Sequence, residues 1–450
     1  MRLGLFRRWG AILSLAIPSI FAFASMTATG AINLVMIGGL GATAIAIVGV
    51  VNILMYNAFA IFSGIGHSVN YLVAQNYGAG EMDKGIQRAS MALKVTLLVA
   101  ILIAILGMTS SELLLTLIGG EESKGIRVGT EYLSLRFLAM GFAILSFVFH
   151  GIFRGLGDTK TPMVLSIATN AIVLFLTYAL TYGHFGFAEM GLRGAGWAYV
   201  VGEWVGLVGA LFMYFVYYHR KYETRRSRSW NRGEGKLLLT ESGKLGIQEF
   251  SLSISMLIFT IFISRLGENA LAANEIALSV MSFGFMPAFG FGATATILVG
   301  QNVGKRNARE ARLSGTHTAL LCCLFLLVLG IIEYGFASSI ANWYTGEKEV
   351  YELAGKLIMM SAFLQLFDGL LNTYAGGLRG IGDTTFLTLT SFLLGFLVFV
   401  PLTYLSIFVL DWGSTGAWLS LYTYLVLFGI LVTVRFYRTR WEDIRMKVAS

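Results

Sequence analysis

Apolar stretches long enough to cross a hydrocarbon core recur along the whole chain, at roughly 10–36, 42–72, 90–116, 129–152, 162–183, 194–218, 239–264, 271–300, 314–340, 352–377, 386–410 and 415–437. Inside a bilayer no water meets the backbone N–H and C=O groups, so only helices and closed barrels can span it. The ten-residue alternation of a barrel strand is missing, whereas Gly and Ser interrupt the runs as they do in closely packed helices. The pattern predicts an all-α integral membrane protein with twelve transmembrane helices. Composition agrees: of 450 residues 56% are apolar, 13% are charged and 53 are glycine, outside the range of a soluble domain.

Lys and Arg set the expected orientation. With the N-terminus and every loop after an even-numbered span on one side, the loops on the other side keep only Lys124, Arg127, Arg193, Arg265 and Lys348. Both termini are therefore expected in the cytoplasm, in a multi-pass protein of the cell membrane. The formal charge of +8 needs no nucleic acid partner, because the basic loops can meet anionic membrane lipid. "MRLGLFRRWG" resembles the start of a signal peptide, but the run after it is long and has no convincing cleavage site, so it reads as an uncleaved first span. Cys322 and Cys323 are adjacent within a span and read as packing residues.

The chain also repeats itself. "FRGLGDT" at 153–159 returns as "LRGIGDT" at 378–384, "VAQNYG" at 73–78 as "VGQNVG" at 299–304, "GGLGATAIA" at 38–46 as "SRLGENALA" at 264–272, and "GLRGA" at 191–195 as "GSTGA" at 413–417. Constant order and nearly constant spacing mark a duplication. Each copy holds six spans, and an even number keeps both copies in one orientation, giving two parallel six-helix repeats. The expected organisation is an amino-terminal lobe at 1–218, a basic cytoplasmic linker at 219–238, a carboxyl-terminal lobe at 239–437 and a tail at 438–450. The R-G-x-G-D-T copies fall at the cytoplasmic ends of spans four and ten. There the glycines suit a tight turn and the Asp suits capping of the next helix.

Polar groups inside spans that the other copy lacks are the candidates for function, since ionisable residues in a bilayer are costly. Asp368 lies mid-span with Gln365 and Asn372 on one helical stripe, and its equivalent is Ala143. It reads as an ion-sensing acid or as a structural carboxylate bonded to a neighbouring helix. Glu203, one turn from Tyr199 and beside Trp204, reads either as a shielded proton acceptor or as a side chain snorkelling to the interface. Glu275 reads as a solvated entrance residue, and Arg136 and Lys94 as basic groups that neutralise a carboxylate or reach an interface. Met26, Thr29 and Asn33 share a face of span one, and Asn52 and Tyr56 one of span two, as walls of a cavity for an amphipathic solute. The histidines at 67, 150, 184, 219 and 317 have no metal-ligand spacing. With no nucleotide loop, nucleophile elbow or zinc motif, neither an enzyme, a cofactor nor a bound metal is expected. Energy is left to an ion gradient.

The motifs "AIPSI", "INLVMIGGLG", "VAQNYGAGE", "VGQNVGKRN", "RGLGDTKTPM" and "FDGLLNTYAGGLRGIGDT" together resemble the multidrug and toxic compound extrusion (MATE) transporters, from about residue 10 to 437. The resemblance implies two six-helix lobes forming a V, and export of cationic or amphipathic organic compounds in exchange for H⁺ or Na⁺, by a protein expected to act as a monomer. It implies Asp368 as the carboxyl-lobe coupling acid, with Glu203 as an alternative carboxylate from span six. Asn33 and Leu174 stand where the family often has aspartates, and Met256 where some members have a glutamate. Asn170 matches a span-five asparagine, and Pro18 the span-one proline that allows bending. The runner-up function is a lipid or lipid-linked oligosaccharide flippase of the same superfamily.

Overall fold

The computed structural model describes residues 2–119, 126–226 and 229–448. Lys124, linker positions 227 and 228 and the last two residues of the tail lie outside them. Among the described residues twelve helices are long and apolar enough to cross a membrane, and no strand occurs. They are α1 (Arg2–Gly38), α2 (Ala42–Ala79), α3 (Met82–Gly119), α4 (Ile126–Gly155), α5 (Lys160–Tyr182), α6 (Leu192–Phe212), α7 (Arg232–Ser264), α8 (Glu268–Gly304), α9 (Ala308–Tyr344), α10 (Lys348–Ile381), α11 (Thr384–Val409) and α12 (Gly413–Arg438). Within α11, π-helical turns at Gly395–Phe399 and Leu405–Val409 flank Pro401. They absorb the backbone bond and the space that a proline denies an α-helix.

The chain packs as two compact units. The carboxyl unit comprises Met1–Ile20, Ala74–Gly80 and Ile247–Lys447, and the amino unit is built from Phe21–Val73 and Glu81–Gly246. Unit boundaries thus cut through α1, α2 and α7. Close backbone packing explains this, and it is the same in both copies of the duplication. In the amino unit a Cβ on Gly246 of α7 would lie 2.2 Å from the Ile61 carbonyl oxygen of α2. In the carboxyl unit a Cβ on Gly290 of α8 would lie 2.5 Å from the Ile20 side chain of α1. Each repeat's first helix therefore begins against the second helix of the other repeat.

The repeated Gln-Asn motif is self-complementary. In the carboxyl unit a Cβ on Gly78 would lie 1.9 Å from the Gln301 carbonyl oxygen, and one on Gly304 2.0 Å from that of Gln75. Each copy's glycine receives the other copy's backbone. Gln75, fully buried, donates to the Gly380 carbonyl at 2.8 Å and accepts from the Lys447 amide at 2.9 Å. The tail is thereby tied to α10.

The R-G-x-G-D-T copies build the same turn but use their aspartates differently. Gly157 and Gly382 adopt φ of +85° and +84°, a left-handed region that side chains disfavour. Asp158 Oδ1 accepts the Lys160 and Thr161 amides at 2.9 and 3.0 Å, the expected cap for α5. Tyr218 donates its hydroxyl to Asp158 Oδ2; burial first, and then this carboxylate, push the phenol above its usual pKa. Asp383 makes no cap bond to α11. It accepts instead from Arg435 Nε at 2.7 Å, because the second copy places an arginine within reach.

Candidate functional site

A cavity of about 360 Å³ lies within the amino unit. Its walls come from one face of each of five helices: Met26, Thr29 and Gly30 of α1; Asn52, Met55, Tyr56 and Phe59 of α2; Ser166, Thr169 and Asn170 of α5; Tyr199, Glu203 and Gly206 of α6; and a long stripe on α4. That stripe runs Arg136, Ala139, Met140, Ala143, Ser146, Phe147 and His150. The steps of three and four are those of a single helix face. Thus Met26, Thr29, Asn52, Tyr56, Asn170, Tyr199 and Glu203, separate in sequence, meet on one surface. Asn33, one turn beyond Thr29, is buried with its side-chain oxygen unpartnered and is not part of the lining.

Arg136 organises one end of the cavity. Its Nη1 donates to Asn52 Oδ1 at 3.1 Å and to the Tyr132 hydroxyl at 2.9 Å. Its guanidinium lies 3.8 Å over the Tyr199 ring, a cation–π contact that suits a planar cation. Glu203, one turn along α6, is half-buried and interacts electrostatically with Arg136. Asn170 donates to the Ser25 hydroxyl at 2.9 Å. His150 at the other end has an unpartnered Nε2; its place was not legible, because nothing but its α4 spacing from Arg136 points to the cavity. Lys94 is exposed.

The carboxyl unit places its polar residues differently. Asp368 is 3% exposed and accepts the Asn372 Nδ2 at 2.9 Å, with Cys322 of α9 and Tyr424 of α12 within electrostatic reach. Gln365 donates to Glu333 of α9. Gly284 of α8 makes room for that amide, since a Cβ there would lie 2.4 Å from Gln365 Oε1. Both Gln365 Oε1 and Glu333 Oε1 are buried without a partner. Glu333 did not stand out in the sequence, although the duplication singles it out: its equivalent, 226 residues earlier, is Gly107. Glu275 is exposed on α8 and accepts from Asn274 at 3.4 Å. Met256 packs against the carboxyl unit's core, and Pro18 is buried inside α1. Glu249 pairs with Arg379 at 2.7 Å.

Comparison with known proteins gives a consistent result. The MatE family model matches residues 18–179 and 245–405, one stretch in each repeat. The multidrug resistance protein PmpM of Pseudomonas aeruginosa is 29% identical over 448 residues, covering 96% of this chain and 92% of that protein. The probable multidrug resistance protein NorM of Thermotoga maritima is 29% identical over 307 residues, 68% of this chain and 65% of that protein. Among solved structures, a MATE protein in the straight conformation matches with a TM-score of 0.87 at 19% identity, over 95% of this chain and 96% of that one. A MATE protein in the bent conformation matches at 0.85 and 20%, over 96% and 95%. At such identities the structural matches speak for the fold, and the family match covers most of the chain. This multi-pass membrane protein belongs to the MatE family, whose members are transporters and not enzymes.

Proposed function

We propose that the chain is a secondary active antiporter that exports cationic or amphipathic organic compounds in exchange for H⁺ or Na⁺. Transport would proceed by alternating access of two six-helix repeats, 1–218 and 239–437, joined by the linker at 219–238, in a monomer of the cell membrane with both termini cytoplasmic. The multidrug resistance names of its relatives support organic substrates. The observation that carries the reading is a contrast between equivalent positions. Met140, Ala143 and Phe147 line the amino-unit cavity, while their counterparts, 225 residues on, are Gln365, Asp368 and Asn372. One copy keeps an apolar wall for an organic body, and the other carries a buried acid. A single amide donor offsets little of the cost of burying an ionised carboxylate, so binding of a proton or a sodium ion at Asp368 would bias the conformational equilibrium. Coupling requires only that ion and organic solute favour different states. Pro18, which denies α1 one backbone bond, is proposed as its hinge.

Ethidium efflux from proteoliposomes, under proton and sodium gradients imposed separately, tests this. Asp368→Asn is expected to abolish the response of efflux to the driving gradient, while Glu203→Gln keeps efflux gradient-driven even where it weakens dye binding. The reverse outcome moves coupling to the amino unit, and efflux indifferent to both gradients removes antiport.

A further inference from the structure

Coupling at Asp368 leaves one buried acid of the carboxyl unit unused. Glu333 of α9 is 3% exposed, and Gln365 of α10, whose Nε2 donates to Glu333 Oε2, is 2% exposed. The Oε1 atoms of both side chains are left without a partner. Helix backbones approach closely around them: a Cβ on Gly330, one turn before Glu333, would lie 2.4 Å from the Ala362 carbonyl oxygen of α10, and one on Gly284 of α8 2.4 Å from Gln365 Oε1. Little room is left for water to serve the orphaned oxygens.

No cation answers Glu333 either. Among the described residues the Gln365 amide is the one side chain that acts on it electrostatically; Tyr334, next in sequence, packs its ring on Phe363, and Asp368 bonds Asn372. An ionised carboxylate would keep one bond and no counter-charge, which burial makes costly. A proton removes both difficulties. A carboxylic acid and a primary amide have complementary edges, so the acid O–H meets the amide oxygen while the amide N–H meets the acid's other oxygen. One proton thus neutralises the acid and gives each orphaned oxygen a partner. A structural tie between these helices needs no acid. In the first copy Gly107 and Met140 stand at the places of Glu333 and Gln365, and a Cβ on Gly107 of α3 would lie 2.2 Å from the Phe137 ring of α4.

We propose that Glu333 and Gln365 form a proton-binding site apart from Asp368, at which one proton is taken up and released in each transport cycle. The proton sits on Glu333 Oε1, donated to the Gln365 oxygen, and no covalent bond other than that O–H forms or breaks. The inference rests on the antiport reading above and adds a second ion to it. Exchange at Glu333 depends on the cycle that Asp368 drives, so Asp368→Asn silences both sites, whereas Glu333→Gln lets the cycle run one proton short.

Infrared difference spectroscopy of the purified full-length protein reads the proton directly, because a protonated carboxyl has a carbonyl band that a carboxylate lacks. The wild type should show such a band, fading reversibly as pH rises. Glu333→Gln should lack it, Asp368→Asn should keep it, and Gln365→Met should shift its frequency by removing the amide. Transport supplies the second readout. In proteoliposomes with the membrane potential clamped at zero, the limiting ethidium accumulation ratio changes about tenfold per pH unit of gradient for each coupled proton. Glu333→Gln should therefore lower that ratio about tenfold at one pH unit of gradient. Should Glu333→Gln fail to fold, the band in Gln365→Met still decides, and an unshifted band counts against the site. The absence of any band that depends on Glu333 overturns the proposal, and so does its loss with the accumulation ratio unchanged, which would make the acid purely structural. A Glu333-dependent band that comes and goes with pH in a wild type that no gradient drives upholds the site and removes the antiport reading instead.

Discussion

Gly78 and Gly304 stand where a methyl group has no room, because the nearest atoms are backbone carbonyl oxygens at 1.9 and 2.0 Å. A side chain can rotate away from a clash, whereas a helix backbone must move as a whole, so overpacking here costs about 1–3 kcal/mol or more. A Cβ on Gly49 of α2 would meet nothing within 4 Å, and alanine there trades only helix propensity. Thermal melting in detergent should show Gly304→Ala strongly destabilised and Gly49→Ala neutral or slightly stabilised. The two motif aspartates make a second contrast at this scale. Asp158→Ala removes a cap and should cost about 1 kcal/mol. Asp383→Ala removes an ion pair to an Arg435 side chain that is 50% exposed and should cost less than about 1 kcal/mol. Sequence reasoning anticipated the cap in the first copy but also expected it in the second. It could not see that Arg435, 52 residues away, would claim the carboxylate.

At the scale of elements the duplication shows a charge exchange. Arg8 at the start of α1 pairs with Glu310 at the start of α9, at 2.9 Å in the carboxyl unit. The positions 226 residues removed carry the opposite signs: Glu234 at the start of α7 pairs with Lys84 and Arg88 at the start of α3, at 3.3 and 2.7 Å in the amino unit. The same helix-to-helix contact survives with its polarity reversed, which discourages either helix start from docking on the wrong partner. The environments differ, however. Arg88 and Glu234 side chains are 1% and 6% exposed, against 28% and 38% for Arg8 and Glu310. Glu234→Gln should therefore cost more than about 1 kcal/mol, because it takes a charged partner from a buried guanidinium, while Glu310→Gln should cost no more than about 1 kcal/mol. Chemical or thermal unfolding of the two variants in detergent measures the difference; equal losses would mean that burial does not set the strength of these pairs. Helix number and the repeat were legible, since each spans many residues of one pattern. The exchange of α1, α2 and α7 ends between units was not, because it rests on which backbone carbonyl faces a glycine, and any glycine in a span looks alike in sequence.

On the scale of the whole molecule the duplicated halves have diverged in chemistry while keeping their backbone motifs. The amino-unit cavity was legible residue by residue where polar groups shared one helix face with a methionine or an aromatic ring, as with Met26 and Thr29 or Asn52 and Tyr56. Arg136 was legible only as a basic group inside a span, because its meaning depends on α2 and α6, which approach it only in three dimensions. Glu333 escaped for a related reason, since an acid in an apolar run gains significance from the amide of Gln365 on the next helix. If the two units divide the work, with the organic solute at Arg136 and the ion at Asp368, then their variants should fail in different ways. Asp368→Asn should still bind ethidium and lose the response of efflux to the driving gradient. Arg136→Gln should alter the affinity for ethidium, because Arg136 lines the cavity, and keep efflux responsive to the gradient. Fluorescence anisotropy and gradient-driven efflux on the same two preparations test this, because coupling is reciprocal: a variant of the ion site shifts dye affinity only through the conformational equilibrium, whereas a variant of the solute site changes it directly. A change of ethidium affinity in Asp368→Asn as large as that in Arg136→Gln would instead place solute and ion on one shared site.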